Sequence, residues 1–240
     1  LLEDQPSVKG GVDLLTSLPF LLTAVANLGL ATAAVFFLRR GRFSVTEVAE
    51  TTSLVALVWG GALALGLVLA SQLVLPLLAP TFSFSWTYVL PIALCVPLLL
   101  TTSYQNSIQL AIDRVRDYNL VHVVASVAFL PLFLLYFLGL DVKAAESMAW
   151  GRLTSAALVT AVTLWLLRGA LRWRPRLHPS FLRAGLAYGW KANLTSALTY
   201  TNRRIDLYLL GLLYLAGQAL LGPDELKAAR LAQVAFYGQA

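Results

Sequence analysis

Residues 52–78 read TSLVALVWGGALALGLVLASQLVLPLL and contain no charged side chain. A helix needs about 20 predominantly apolar residues to cross the hydrocarbon core of a bilayer, so this stretch is long enough. Small residues recur in it at four-residue spacing, at Ala56, Gly60 and Ala64, and such spacing permits close helix packing in lipid. The stretch therefore predicts a membrane-spanning helix inside a bundle.

The rest of the chain has the same apolar character. Hydrophobic residues make up 58% of the 240 residues and charged residues only 12%, which is too apolar for a soluble domain. Segments of about 20 apolar residues recur, and the predicted spans are about Leu14–Leu38, Thr52–Leu78, Tyr88–Ile112, Leu120–Leu140, Met148–Leu167 and a sixth within residues 189–221. The expected fold class is an all-α, polytopic transmembrane helix bundle.

Basic loops alternate with neutral or acidic ones along the chain. The loops at residues 39–50, 113–117 and 168–183 hold most of the arginines, and the positive-inside rule places them in the cytoplasm. The net charge of +6 is explained by these loops, so no nucleic-acid partner is expected. The chain starts at Leu1 inside an external loop and stops within an apolar pattern. We therefore expect a longer parent protein with one more spanning helix before Leu1.

Cysteine and histidine usage favours neither a metal site nor a cofactor. Cys95 is the one cysteine of the chain, so it cannot form an internal disulfide or a cysteine cluster. His122 and His178 are isolated from each other and from other metal-ligating residues in the sequence. We expect no catalytic residue and no bound cofactor.

Two predicted spans carry a polar stripe on one helical face. The stripe of the first span is Thr16, Thr23 and Asn27, and the stripe of the third is Thr102, Asn106, Gln109 and Asp113. Both are typical of a water-filled cavity or of hydrogen bonds between helices. Arg152, near the external end of the fifth span, is expected to extend to the membrane interface, with a substrate role as the less favoured alternative.

The most unusual polar stretch is residues 191–208, KANLTSALTYTNRRIDLY. A span over about residues 189–214 would place its arginines near the membrane centre, where charge is costly and usually functional. A span over Ile205–Leu221 would instead leave Arg203 and Arg204 at the cytoplasmic interface, after a surface helix at residues 180–202. The sequence leaves both readings open.

The arginines of this stretch differ on a helical wheel. Arg203 lies on the same face as Asn202 and Asp206, so it can pair with Asp206 at a spacing of three residues. Arg204 points nearly the opposite way and has no partner on its own helix. An unpaired guanidinium in a cavity suits a phosphate or pyrophosphate, which it can bind through two hydrogen bonds.

Three segments together resemble a known transporter family. They are GLATAAVFFLRRGRFSVTEV (residues 29–48), SIQLAIDRVRDYNL (residues 107–120) and FLRAGLAYGWKANLTSALTYTNRRIDLYLL (residues 181–210). They are similar to Wzx-type polysaccharide and O-antigen flippases of the multidrug/oligosaccharidyl-lipid/polysaccharide exporter superfamily. The third segment carries the most specific motif, an Arg-x-Asp in the seventh helix, matched by Arg204 and Asp206.

The resemblance implies two helical lobes around a cationic cavity and alternating access. Residues 1–180 would form helices two to six of the first lobe, and residues 181–240 would form helix seven and the start of helix eight. The implied function is export of undecaprenyl-pyrophosphate-linked oligosaccharide across the bacterial inner membrane, for polysaccharide and lipopolysaccharide biosynthesis. The expected partners are that substrate, membrane lipids and a coupling H⁺ or Na⁺. The candidate substrate-binding residues are Arg204, Arg203, Asp206, Asn202, Lys191, Asn27 and Asn106.

Two other function classes stay open. A drug or metabolite antiporter of the same fold would need a cavity suited to its substrate, and a cationic cavity disfavours a cationic drug. A membrane-embedded glycosyltransferase would need carboxylates or a histidine in a long external loop, but the external loops here are short. We therefore do not expect an enzyme.

Overall fold

The computed structural model describes residues 19–24, 26–73, 86–140, 142, 144–169, 176–195, 198–199 and 202. This described part is all-helical and contains no strand. The helices are α1 (residues 19–24 and 26), α2 (Leu30–Arg39), α3 (Val45–Leu73), α4 (Trp86–Ala111), α5 (Val115–Leu134, continued by a π-helical turn at Leu135–Gly139), α6 (Ala144–Leu167) and α7 (residues 179–195).

Four helices of the described part are long and apolar enough to cross a membrane. Their spanning segments are Val45–Leu73, Val89–Ala111, Val115–Gly139 and Glu146–Leu167. They correspond to predicted spans two to five, and the prediction of an all-α transmembrane bundle is confirmed. The second span begins seven residues earlier than the predicted Thr52 because Val45 already starts α3; residues 74–78 lie outside the described part.

A capping box starts α3. The Ser44 backbone N–H donates to Glu47 Oε2 at 2.8 Å, and the Glu47 N–H donates to Ser44 Oγ at 3.2 Å. Two otherwise free N–H groups at the helix start are satisfied in this way. The basic loop between α2 and α3 is therefore shorter than the sequence predicts.

The stripe of small residues in α3 packs against α4. Ala56 is fully buried in a cluster with Val96 and Leu100, and Ala64 packs with Val89 and Ala93 nearer the other end of the bundle. A Cβ at Gly60 would lie only 2.7 Å from the Cα of Pro97. The predicted close contact along this stripe is confirmed.

The described residues of the basic loops lie at one end of the bundle, which we call the basic end. Arg39 Nη2 donates to the Leu110 carbonyl at 3.2 Å, and Arg114 Nη1 donates to the Leu166 carbonyl at 3.0 Å. Each arginine thus binds a carbonyl near the C-terminus of a neighbouring helix. The prediction that these loops share one side is confirmed, while the assignment of that side to the cytoplasm stays a prediction.

The prediction of one continuous helix over Leu14–Leu38 is wrong within the described residues. A turn at residues 27–29 separates α1 from α2, with positive φ angles of 55° at Leu28 and 70° at Gly29. Thr16 lies outside the described residues, and the Thr23 hydroxyl donates to the Pro19 carbonyl of its own helix at 2.6 Å. The apolar run alone could not indicate this break.

Helix α7 begins at residue 179, ten residues before the span predicted over about residues 189–214 and one residue before the surface helix of the other reading. His178 anchors its start, since Nε2 lies 3.0 Å from Glu50 Oε2. Phe181 is fully buried against Phe37 and Phe43. One face of the helix is therefore packed against the bundle, whereas Trp190 and Leu194 are exposed.

Helix α7 then runs antiparallel to α2. Gly185 packs against Leu30, and the backbones of Gly189 and Gly29 meet without an intervening side chain. Arg203, Arg204 and Asp206 lie outside the described residues, so the reading of the arginine stretch is not decided.

Candidate functional site

A cavity of about 170 Å³ lies between α1, α4, α5 and α6, and it is partly open, since Phe20 and His122 of its wall are exposed. On α4 its wall extends from Ile92 to Asn106, about 21 Å at the helical rise of 1.5 Å per residue. The cavity is therefore a narrow slot along the helix axes. Most of its wall is apolar, and its polar lining residues are Thr102, Asn106, His122, Arg152 and Ser155.

Arg152 is the arginine of this wall. It lies eight residues from the first residue of α6, about 12 Å along the helix. Its guanidinium carbon lies 4.0 Å from the centroid of the Phe129 ring and 5.6 Å from that of the Phe20 ring. Both rings attract the charge through their faces, so Arg152 is covered on two sides by aromatic rings.

The hydrogen bonds of Arg152 are incomplete. Its Nε is buried and has no hydrogen-bond partner among the described residues, and no carboxylate of that part of the chain pairs with it. A buried donor without a partner is unfavourable, and more so when it is charged. The buried N–H of Arg152 is therefore available to an anionic group or to another hydrogen-bond acceptor.

The expectation that Arg152 extends to the membrane interface stays a prediction. Phe20 and Phe129 lie against its guanidinium, and the side chain lines the cavity. The interfacial prediction for Arg152 came from its position near the end of a span. The available signal was the arginine itself, because an ionisable residue within a span is a functional candidate by default.

Part of the predicted α4 stripe lines the same cavity. Thr102 and Asn106 belong to the wall, and the Thr102 hydroxyl also lies 3.0 Å from that of Thr160 on α6. Asn106 Oδ1 is buried and has no partner in the described part of the chain. Gln109 is fully buried, whereas Asp113 follows the end of α4 and lies 3.6 Å from Arg39. Thr102 and Asn106 of the stripe thus line the cavity, whereas Gln109 is packed within the bundle.

The predicted site residue Asn27 lies at the break between α1 and α2. Its Nδ2 donates to Ser103 Oγ at 3.2 Å, and its Oδ1 accepts the Ala31 N–H at 3.3 Å. The side chain therefore caps α2 and ties it to α4. A substrate role for Asn27 stays a prediction.

The other predicted site residues lie on α7 or beyond it. Lys191 is exposed, with Nζ 5.8 Å from the centroid of the Trp190 ring, and Asn202 is also exposed. Arg203, Arg204 and Asp206 fall outside the described residues. Of the seven residues proposed from the sequence, Asn106 is the one that the described structure places in the cavity wall.

Comparison with known proteins adds no assignment. No protein family, curated protein or solved structure matches this chain. The similarity to the polysaccharide flippases therefore stays a prediction from the quoted motifs.

Proposed function

We propose that this chain belongs to a membrane exporter that moves an anionic amphiphile, and that the Arg152 cavity binds the anionic group. The observation that carries the proposal is the buried Nε of Arg152 without a partner in the described residues. Keeping a guanidinium inside a bundle is costly in lipid, and such residues mark substrate pathways. A structural arginine would instead be expected to have a protein acceptor for each buried N–H.

The shape and lining of the cavity favour an amphiphile over a small hydrophilic ion. Most of the other residues of the wall are apolar, and they include Leu99, Val121 and Val159. A hydrocarbon chain can contact this wall while its anionic head binds the guanidinium. The positive charge disfavours a cationic drug in the same place.

A polyprenyl-pyrophosphate-linked oligosaccharide combines these chemical features. Its pyrophosphate can accept two parallel hydrogen bonds from one guanidinium, and its prenyl chain is apolar. The resemblance of the sequence to the Wzx-type flippases, with their two lobes and alternating access, supports the same substrate. We accordingly propose translocation of a lipid-linked oligosaccharide, as in O-antigen export, across a bacterial inner membrane.

Equilibrium binding of a polyprenyl pyrophosphate to the protein in nanodiscs tests this function. Arg152→Gln is expected to weaken binding by roughly ten-fold to one hundred-fold, because a charge-assisted contact is lost. Arg168→Gln is the matched control, since Arg168 is exposed at the basic end and also covers an aromatic ring, Trp165. Equal affinity of the Arg152→Gln variant and the parent protein would contradict the proposal.

A further inference from the structure

The break at residues 27–29 divides one apolar run into two helices that are held differently. Helix α2 is anchored, since Leu30, Ala33 and Ala34 are fully buried and α7 packs along it. In α1, Pro19 and Ala26 are buried, but residues 21–24 are only partly covered and Phe20 is 39% exposed. We propose that α1 is a movable gate over the Arg152 cavity and that residues 27–29 are its pivot.

The backbone at the pivot has an unfavourable conformation. Leu28 has a φ of 55°, in the left-handed region where a β-carbon crowds the following carbonyl. Gly29, at a φ of 70°, adopts the same region freely. Strained non-glycine residues persist where the surrounding structure holds them, and they concentrate at switch regions. Leu28 is such a residue, between two helices of the same apolar run.

Side chains from other helices donate to two carbonyls at the break. In a continuous helix, the carbonyls of Ala26 and Asn27 would accept the N–H groups of residues 30 and 31. Here Trp59 Nε1 donates to the Ala26 carbonyl at 3.2 Å. The Asn27 carbonyl accepts the Leu30 N–H at 3.1 Å and, in addition, the Tyr104 hydroxyl at 3.0 Å. Free carbonyls are very costly in a bilayer, so the Trp59 donor stabilises the broken form, and the Tyr104 hydroxyl adds a second hydrogen bond to it.

The far end of α1 covers the cavity. Pro19 and Phe20 belong to its wall, and the Phe20 ring is one of the two rings against Arg152. Phe20 precedes Ala26 by six residues, about 9 Å along the helix. A small rotation at the pivot therefore moves the Phe20 ring away from Arg152 and opens that wall, as a few hinge residues do in other closures.

The single cysteine of the chain reports on this opening. Cys95 lines the cavity together with Phe20 and Arg152, so its alkylation rate by a small neutral thiol reagent measures access. Phe20→Ala is expected to raise that rate several-fold because the covering ring is removed. Tyr104→Phe deletes the side-chain donor to the Asn27 carbonyl and is expected to raise the alkylation rate roughly two-fold to ten-fold, the range for one hydrogen bond.

Combining the variants separates a gate from general loosening. If the pivot acts through Phe20, adding Tyr104→Phe to the Phe20→Ala variant causes no further increase in the alkylation rate of Cys95. Tyr188→Phe is the matched control, since the Tyr188 ring stacks on Phe36 at 4.1 Å between α7 and α2. The proposal would be overturned if Tyr104→Phe left the alkylation rate of Cys95 unchanged. It would also be overturned if Tyr104→Phe raised that rate equally in the parent protein and in the Phe20→Ala variant.

Trp59→Phe provides the same test should Tyr104→Phe fail to fold. It removes the donor to the Ala26 carbonyl, and Trp165→Phe, at an exposed position on α6, is its control. The suggested role of the gate, which is to control access to the anion site, rests on the proposed function. All rates are measured without any anion, so failure of the gate leaves the binding test of Arg152 unaffected.

Discussion

Gly60 and Gly61 are neighbours in α3 with opposite surroundings. A Cβ at Gly60 would lie 2.7 Å from the Cα of Pro97, whereas a Cβ at Gly61 would meet nothing within 4 Å. The first glycine is required by the contact between α3 and α4, and the second is not. Single residues can therefore test the helix packing without disturbing the cavity.

Gly60→Ala is expected to destabilise the protein by about 1–3 kcal/mol, because the added methyl group overpacks the contact with Pro97. Gly61→Ala is expected to leave stability unchanged or to raise it by up to about 1 kcal/mol, since alanine favours the helix more than glycine. Unfolding of the purified protein in detergent measures both effects. Equal shifts in the two variants would contradict this packing.

At the level of elements, the start of α3 depends on a short local signal. Ser44 and Glu47 form the capping box of this helix, and the Ser-x-x-Glu pattern is readable from the sequence. From hydropathy and charge, both residues were instead predicted to lie in a loop over residues 39–50. Local hydrogen-bonding chemistry therefore defined this boundary better than hydropathy did.

Ser44→Ala is expected to destabilise the fold by about 1 kcal/mol, because the Glu47 N–H loses its acceptor. Ser126→Ala is the control, since Ser126 is exposed within α5 and its hydroxyl donates only to the His122 carbonyl of the same helix among the bonds described. That control should change stability by less than about 0.5 kcal/mol. Thermal unfolding distinguishes the two, and an equally large loss in Ser126→Ala would argue against the cap.

The break between α1 and α2 could not be predicted from its own segment. Asn27, Leu28 and Gly29 lie inside a run with the hydropathy of a spanning helix. The groups that stabilise the break are Trp59 and Tyr104, which belong to other helices, and Gly189 contacts Gly29 from α7. Such distant partners are not visible in local patterns. The α3 stripe was predictable because its repeat of small residues is itself local.

At the level of the whole molecule, hydropathy and charge predicted most of the architecture. Apolar length indicated the four described spans, and the arginine distribution indicated that three loops share one end. The cavity was predicted only through Thr102 and Asn106, because its shape depends on how α1, α5 and α6 pack. The place of Arg152 in the cavity wall was not predicted, because it depends on contacts with Phe20 and Phe129.

The shared position of the basic loops gives a topology prediction. In a Cys95→Ser background, Arg42→Cys and Arg116→Cys should react with an impermeant thiol reagent from the same side of the membrane. Leu140→Cys should react from the opposite side, because α5 crosses the bundle between residues 116 and 140. All three positions are exposed. Labelling of Arg42→Cys and Leu140→Cys from one side would contradict the arrangement.

The central claim is that an anion bound at Arg152 occupies the cavity. The most direct measurement is protection of Cys95, which lines that cavity, from alkylation in nanodiscs. A polyprenyl pyrophosphate should slow alkylation in the parent protein, while the matching polyprenyl alcohol should not, and Arg152→Gln should abolish the protection. Equal protection by the alcohol, or protection that persists in Arg152→Gln, would contradict the claim.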